Sequence, residues 1–461
     1  MLSYSNMMIL MTFTVLVFAF IGIVYSKGKI TIMDDFLTAR GRVDTKMLST
    51  SIMASFLGVF LLFTPPEAAS IGGIATITGY ALGVVALFSA YIVLGPRIKE
   101  YMPMGSTLSD YVGKRYGGKM YSLTSIISIF YMIVHLVAEL TAIALVANLV
   151  AGVPMIYTAL LVGFGTMIYT AYGGLRASIF TDMLQMILVI LLLVATSIGV
   201  VYYGGGISIL MDNIRINAPH LKSFGNWSGI EYGLTLCIAV FVANFFHQGY
   251  WQRIYAAKDN EVLKKSFRMS LILAFPIMLV VGFIGIAAAG MGLADNPSVA
   301  LFSLVFSLFP KGLIIGVFIL ALVLVMSTTD TLLNAIVSTF TIDSKRIFKN
   351  VKEEALLKSA RIMTVIIIIP IAFIASKGYS VLYLFLIADT VCAGVFFPLF
   401  FGLYSKKATE NIALVSAILG IASGIPFFIA NKLFLSFLIP IIVSGSICLL
   451  SVNFIKVKAK A

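Results

Sequence analysis

Ionisable side chains inside long apolar runs are costly and usually functional. In this sequence they include His135, Glu139, Asp182, His247, Asp330 and Asp389. Around Asp330 the residues Ser327, Thr331, Asn334, Ser338 and Thr341 recur at three- or four-residue spacing. That spacing draws one oxygen-rich stripe along a helix otherwise built from Ile, Leu, Val and Phe. Hydroxyls and carbonyls are the ligands a small hard cation takes, and Ser327 and Thr328 supply two adjacent hydroxyls. The same hydroxyls equally suit a bond to the carbonyl one turn back in their own helix. His135 and Glu139 stand four apart, and the default expectation is a hydrogen-bonded pair on one face. Asp182 and Gln185 share a face just after Tyr172-Gly173-Gly174, where an acid is either a functional group or a helix-start residue favoured by the dipole. Asp389 reads equally as a carboxylate that packs against a neighbouring helix.

Ion or solute binding at membrane depth also needs backbone carbonyls, and only a broken helix frees them. Two segments offer such a break. The first is Ala54-Ser55-Phe56-Leu57-Gly58 followed by Thr64-Pro65-Pro66-Glu67, whose prolines remove amide donors and disfavour helical geometry before them. Five apolar runs later comes Ala243-Asn244-Phe245-Phe246-His247-Gln248-Gly249, where an apolar helix turns polar. A proline kink made only for packing is the alternative for the first. A matched pair at corresponding positions of two halves points instead to a binding site.

The elements that must hold these groups are membrane helices. Of 461 residues 60% are hydrophobic and 11% charged, far from the roughly 25% charged composition of a soluble domain. At about 20 apolar residues per crossing, the runs bounded by charges or turn residues number about thirteen. The expected class is an all-α polytopic membrane protein. Its layout is a first helix and inner loop at 1–45, a first five-helix repeat at 46–203, an outer loop and an inverted second repeat at 204–402, and two further helices at 403–461.

The net charge of +13 follows the loops: 27 of the 32 Lys and Arg fall in alternate connections if the N-terminus is outside. This is the positive-inside pattern of a multi-pass protein of the cytoplasmic (inner) membrane with a cytoplasmic C-terminus, and it argues against nucleic-acid binding. No cleavage pattern follows the run from Ser5 to Tyr25, so it is read as a spanning helix and not a leader. Cys237, Cys392 and Cys448 sit in apolar runs without metal or disulfide spacing. No set of nucleophile, base and orienting group appears, nor a phosphate-cradling loop, which argues against an enzyme.

The segment from Tyr169-Thr170-Ala171-Tyr172-Gly173-Gly174 through Arg176 to Thr181-Asp182-Met183-Leu184-Gln185 resembles the signature of the sodium:solute symporter family. Gln252-Arg253 with Ala256-Ala257-Lys258-Asp259 resembles the family's second signature, and Met326-Ser327-Thr328 with Asp330 resembles its sodium-site helix. Members carry proline, pantothenate, sugars, sialic acid, iodide and other solutes. The resemblance implies a leucine-transporter-like inverted repeat and a sodium ion held by carbonyls of Ala54, Leu57 and Leu324 and hydroxyls of Ser327 and Thr328. It also implies a second cation site or release path at Asp182, Asp330 and Thr331.

Ser55, Phe56, Phe63, Glu139, Asn244, Phe245, His247 and Gln248 are the expected solute-lining set. Phe56 stands where some members have Asn or Asp, and His247 where many have Asn. The sugar-binding pattern is not evident, so a small solute with one apolar face is expected. The implied function is sodium-coupled symport of a small organic solute by alternating access, with sodium the coupling ion, the lipid bilayer the surroundings and a monomer sufficient. A proton-coupled carrier of the same fold and a transporter-fold sensor are the alternatives.

Overall fold

The computed structural model of the chain describes residues 3–28, 36–347 and 352–454. The C-terminal Lys456–Ala461 and part of the first inner loop, both counted above among the basic connections, lie outside the described residues. Among the described residues the backbone is helical apart from connections and one isolated bridge between Val43 and Ala257. In lipid, helices satisfy every backbone group within one segment, so long apolar runs have little other choice.

Helix α1 spans Tyr4–Ser26. Helix α2 (Thr45–Phe56) begins where Asp44 accepts from the Met47 amide at 3.0 Å, and it stops short of a full crossing. After a three-residue interruption, α3 runs Phe60–Tyr101. Next come α4 (Leu108–Arg115), α5 (Gly118–Ala151), α6 (Met155–Tyr203) and the short α7 (Ile207–Asn217). The second half holds α8 (Trp227–Ala243), α9 (Gln248–Ala256), α10 (Asn260–Gly290), α11 (Ala300–Leu308) and α12 (Lys311–Ile347). It closes with α13 (Glu353–Ala375), α14 (Val381–Tyr404), α15 (Glu410–Ile429) and α16 (Leu433–Phe454).

Eleven helices among the described residues are long and apolar enough to cross a membrane. The expected runs 46–73 and 74–98, and again 154–171 and 176–203, are not separated by loops. Helix α3 has 42 residues and α6 has 49. At about 1.5 Å per residue each is roughly twice as long as a bilayer core is thick. Both bend at a single glycine, Gly73 (φ 74°, ψ −156°) and Gly174 (φ 53°, ψ −147°). This backbone region is essentially closed to residues with a side chain. Gly174 is the second glycine of the Tyr172-Gly173-Gly174 motif, which gives that motif a mechanical reason.

The prolines do not break α3. Pro65 and Pro66 lie inside it, and the interruption sits upstream at residues 57–59. Thr64 Oγ1 donates to the Phe60 carbonyl at 3.2 Å, and the Pro66 carbonyl fits against Gly285 of α10, where no side chain intervenes. Close approach continues along α3 and α8: a methyl built on Gly79 would lie 2.5 Å from the Gly233 carbonyl carbon. Small residues at such seams let membrane helices approach backbone to backbone. Helix α12 is buried along almost its whole middle, whereas α1 turns Ile9, Phe13, Leu16 and Phe20 outward as an apolar belt.

Alanine at Gly73 or Gly174 forces a side chain into a glycine-only conformation and against a backbone carbonyl, that of Leu221 at the first and of Phe36 at the second. Each variant is expected to lose about 1–3 kcal/mol, read as a lower unfolding midpoint in detergent. Gly312→Ala, with open space and ordinary helical backbone, is expected to melt like the parent.

Candidate functional site

The break between α2 and α3 can be followed amide by amide. The Gly58 amide bonds to the Phe56 carbonyl (3.0 Å), the Leu61 amide to the Gly58 carbonyl (3.1 Å), and the Val59 amide to Glu139 Oε2 (2.9 Å). These are the donors that an unbroken helix would direct at the carbonyls of Ala54, Leu57 and Ser55. The three carbonyls are thereby released from helical bonding. Glu139 of α5 caps the second half-helix, its carboxyl oxygen placed at the positive end of the dipole. The expected His135–Glu139 pair does not form, because Glu139 is drawn to this cap and His135 turns towards Asp389.

Gly58 is where the break meets α12: a methyl there would collide with Glu139 Oε1 and lie 2.8 Å from Thr328 Oγ1. Thr328 of α12 therefore lies directly against the break, with Ser327 beside it in sequence and Leu324 one turn earlier. Thr328 Oγ1 donates to the Leu324 carbonyl at 3.2 Å, the one-turn-back bond expected of a helical threonine. Ser327 Oγ instead donates to Asp182 Oδ1 at 2.6 Å. With its hydrogen committed to Asp182, the Ser327 oxygen has lone pairs left to offer.

Asp182 is deep inside α6 and not at a helix start. It also accepts from Ser51 Oγ (2.7 Å) and from Arg253 Nη2 (3.1 Å). Arg253 was expected among the basic residues of an inner loop, yet its side chain and that of Asp182 are both 0% exposed. The ion pair makes the burial tolerable, and Arg253 fills its remaining donors with Ser51 Oγ (3.0 Å), Thr331 Oγ1 (3.0 Å) and the Gly249 carbonyl (3.3 Å). Asp330 is held separately by Tyr169 (2.7 Å), Ser178 (2.6 Å) and Thr181 (3.3 Å), all from α6. Thr331 also lies 3.3 Å from Ser55 Oγ. Helix α12 thus presents its stripe to different partners: Thr328 to the break, Ser327 to Asp182, Asp330 to α6, and Thr331 to Arg253. Further along, Thr341 bonds back to the Val337 carbonyl at 2.7 Å.

The second break is equally compact. Helix α8 ends at Ala243, residues Asn244–Phe246 make one 3-10 turn, and His247 is extended (φ −74°, ψ 98°) before α9 begins. His247 Nδ1 accepts the Gly249 amide at 3.1 Å, so a neutral His247 carries its proton on Nε2.

Between the two breaks lies a cavity. Ser55, Phe56, Glu139, Asn244 and His247 of the expected set line it. Phe63, Phe245 and Gln248 do not. Phe63 packs on Phe302 (ring centroids 4.9 Å apart) and Phe245 lies against Tyr91 and Phe400 (4.9 and 4.7 Å). Gln248 ties the Leu108 amide (3.2 Å) to the Ser106 carbonyl (2.6 Å). Sequence reasoning missed Phe60, Tyr80, Val240, Tyr250 and Phe385, and it gave His135 and Asp389 no place in the wall although all line the cavity. Helical spacing carried part of the signal within α14, where Asp389 follows Phe385 by four. Thr328 reaches the cavity as well as the break.

The sodium:solute symporter family description matches residues 36–420. The chain belongs to this family. Sodium is its coupling ion, and the family and the relatives found are transporters. The chain is 29% identical over 373 residues to the spermidine transporter DUR31 of Candida albicans, covering 80% of this chain and 69% of that one. It is 26% identical to the sodium/glucose cotransporter of Vibrio parahaemolyticus, covering 72% of this chain and 66% of the relative. It is also 26% identical to the sodium/proline symporter of Salmonella typhimurium, covering 95% and 91%. Among solved structures, a substrate-bound outward-open sodium-coupled sialic acid symporter superposes with a TM-score of 0.79 at 20% identity, covering 98% of both chains. Similarity of that kind establishes the leucine-transporter-like fold.

Glu139→Ala removes the cap of α3 and leaves the Val59 amide without its partner. A loss of about 1–2 kcal/mol is expected, seen as a lower unfolding midpoint, whereas Glu139→Gln retains an acceptor oxygen and most of the stability.

Proposed function

We propose that this chain imports a small organic solute together with sodium by alternating access, and that one three-residue break couples the two. The observation that carries the reading is the position of that break. On one side the break carries the released carbonyls of Ala54 and Leu57 and packs at Gly58 on Thr328 of α12, next in sequence to Ser327 and one turn from Leu324. On the other, Ser55 and Phe56 line the cavity, and Thr328 belongs to both. In this reading the carbonyls of Ala54, Leu57 and Leu324 and the hydroxyls of Ser327 and Thr328 hold sodium, all hard neutral oxygens. The ion then ties α2 to α12, and the solute meets a wall whose geometry the ion has set. Asp182, with Ser327 on one oxygen and Arg253 on the other, is the group an ion leaving towards Arg253 would meet.

Supporting the organisation, the ranges 46–203 and 204–402 each hold one broken helix, at 57–59 and at 244–247, with α7 ahead of the second and α15 and α16 following it. The charge pattern supports an N-terminus outside, a cytoplasmic C-terminus and placement in a cytoplasmic membrane. The relatives' names indicate spermidine, glucose and proline, so they do not agree on a solute class.

Coupling is a shared free energy, so sodium and solute must tighten one another by the same factor. In purified protein, Ser327→Ala and Thr328→Ala are expected to raise the half-saturating sodium concentration on the order of tenfold each, about 1.4 kcal/mol for a lost ligand. Solute binding that is the same in sodium and in potassium at equal ionic strength overturns the mechanism.

A further inference from the structure

We infer that the solute is an organic cation, an ammonium group on a small carbon body, with Asp389 as its counter-charge. This rests on the cavity being the solute site. The carboxyls and imidazoles lining the cavity are Glu139, Asp389, His135 and His247, beside the phenols of Tyr80 and Tyr250, and neither Lys nor Arg is among the lining residues. Glu139 is already committed to the start of α3 through the Val59 amide. His247 Nδ1 is committed to the Gly249 amide. Asp389 has no such tie: its Oδ1 is buried without a hydrogen-bond partner. The nearest basic atom is His135 Nε2, 3.8 Å away, beyond bonding distance and itself unpartnered. A buried carboxylate oxygen and a buried imidazole nitrogen left open side by side are expensive unless something fills the gap. An ammonium offers several hydrogens from one atom, so it can donate to two acceptors this close together.

The rest of the wall suits the same guest. Phe60 meets Phe56 and Phe385 edge-on, with ring centroids 5.5 and 6.0 Å away, and His135 lies 4.4 Å from the Phe385 ring. Aromatic faces attract cations, more strongly when water is excluded, and they also receive alkyl groups. A carboxylate solute would meet two acids with no fixed cation to answer it. The Asn244 amide nitrogen is already bonded to the Val240 carbonyl at 2.9 Å, and the Tyr250 hydroxyl adds one further unpartnered group to the wall. Acid recurs further along α3. Thr64 Oγ1 lies 3.1 Å from the cavity-lining Tyr80 hydroxyl, and three residues on Glu67 keeps a buried, unpartnered Oε2 while Ser298 donates to its Oε1 at 2.7 Å.

The test is thermal stabilisation of the purified full chain by ethanolamine, putrescine, lactate, glucose and urea, each in sodium and in potassium at equal ionic strength. Ligands of the folded state raise its midpoint by mass action. The expected result is sodium-dependent stabilisation by ethanolamine or putrescine alone. Asp389→Asn is then expected to weaken that response on the order of 30-fold or more in apparent affinity, while the shift produced by sodium alone persists. That sodium shift also shows that the variant is folded. Should Asp389→Asn fail to fold, Phe385→Leu takes its place, with a smaller loss of amine affinity expected. Sodium-dependent stabilisation by lactate, glucose or urea and by neither amine overturns the cation assignment but leaves sodium symport standing, and so does a lack of response to either amine. Amine binding equal in sodium and potassium overturns the symport reading and leaves the cation assignment intact. Unchanged amine affinity in a folded Asp389→Asn removes Asp389 from its role.

Discussion

A backbone group that leaves its helix inside a bilayer finds no water, so it must be answered by another part of the protein. Much of the centre of this molecule is organised by that constraint at residues 57–59. Glu139 answers the Val59 amide, Gly58 keeps its own position bare so that α5 and α12 can close in, and three carbonyls remain unclaimed. A glutamate at the middle of α5 would be an expense without the helix end it caps. A glycine at 58 would merely weaken a helix that was meant to continue. Each residue is explained by the other.

Around the break, one ion pair gathers the mobile parts. Arg253 and Asp182 connect α9 and α6, and through Ser51, Thr331 and Ser327 they reach α2 and α12. Four helices therefore meet at two side chains with no exposure. A rearrangement of α2 against α12 has to exchange hydrogen bonds here, which confines the change to a few discrete arrangements and not a continuum. The glycine bends supply the complementary stiffness: α3 and α6 each run through two membrane lengths with one pivot apiece.

The existence of both breaks was legible because polar and glycine residues interrupt apolar runs, a departure that composition alone exposes. The identity of the breaking element was not. Pro65 and Pro66 carry the stronger local signal, yet a hydroxyl at Thr64 and a glycine at 285 accommodate them, and the latter is over 200 positions away. Arg253 looked like a loop residue because no local feature announces a partner at 182. The helices themselves read well, except where a glycine conformation replaced a loop at 73 and 174. The aromatic half of the cavity, Phe60, Tyr80, Tyr250 and Phe385, was missed because side-chain direction depends on how far each segment unwinds. Gln248, Phe245 and Phe63 were placed in the wall for the same reason, one turn of backbone being enough to face them elsewhere.

The pairing of Arg253 with Asp182 also bears on time. With that carboxylate occupied by a fixed guanidinium, the oxygens facing Gly58 on α12 belong to alcohols and peptides and carry no formal charge. If sodium rests there as proposed, it meets alcohols and peptides on α12 and, from α5, the single carboxyl of Glu139 beside Gly58. Holding Asp182 on a guanidinium then keeps a second acid off the ion, and spares every cycle the time that acid would need to let go.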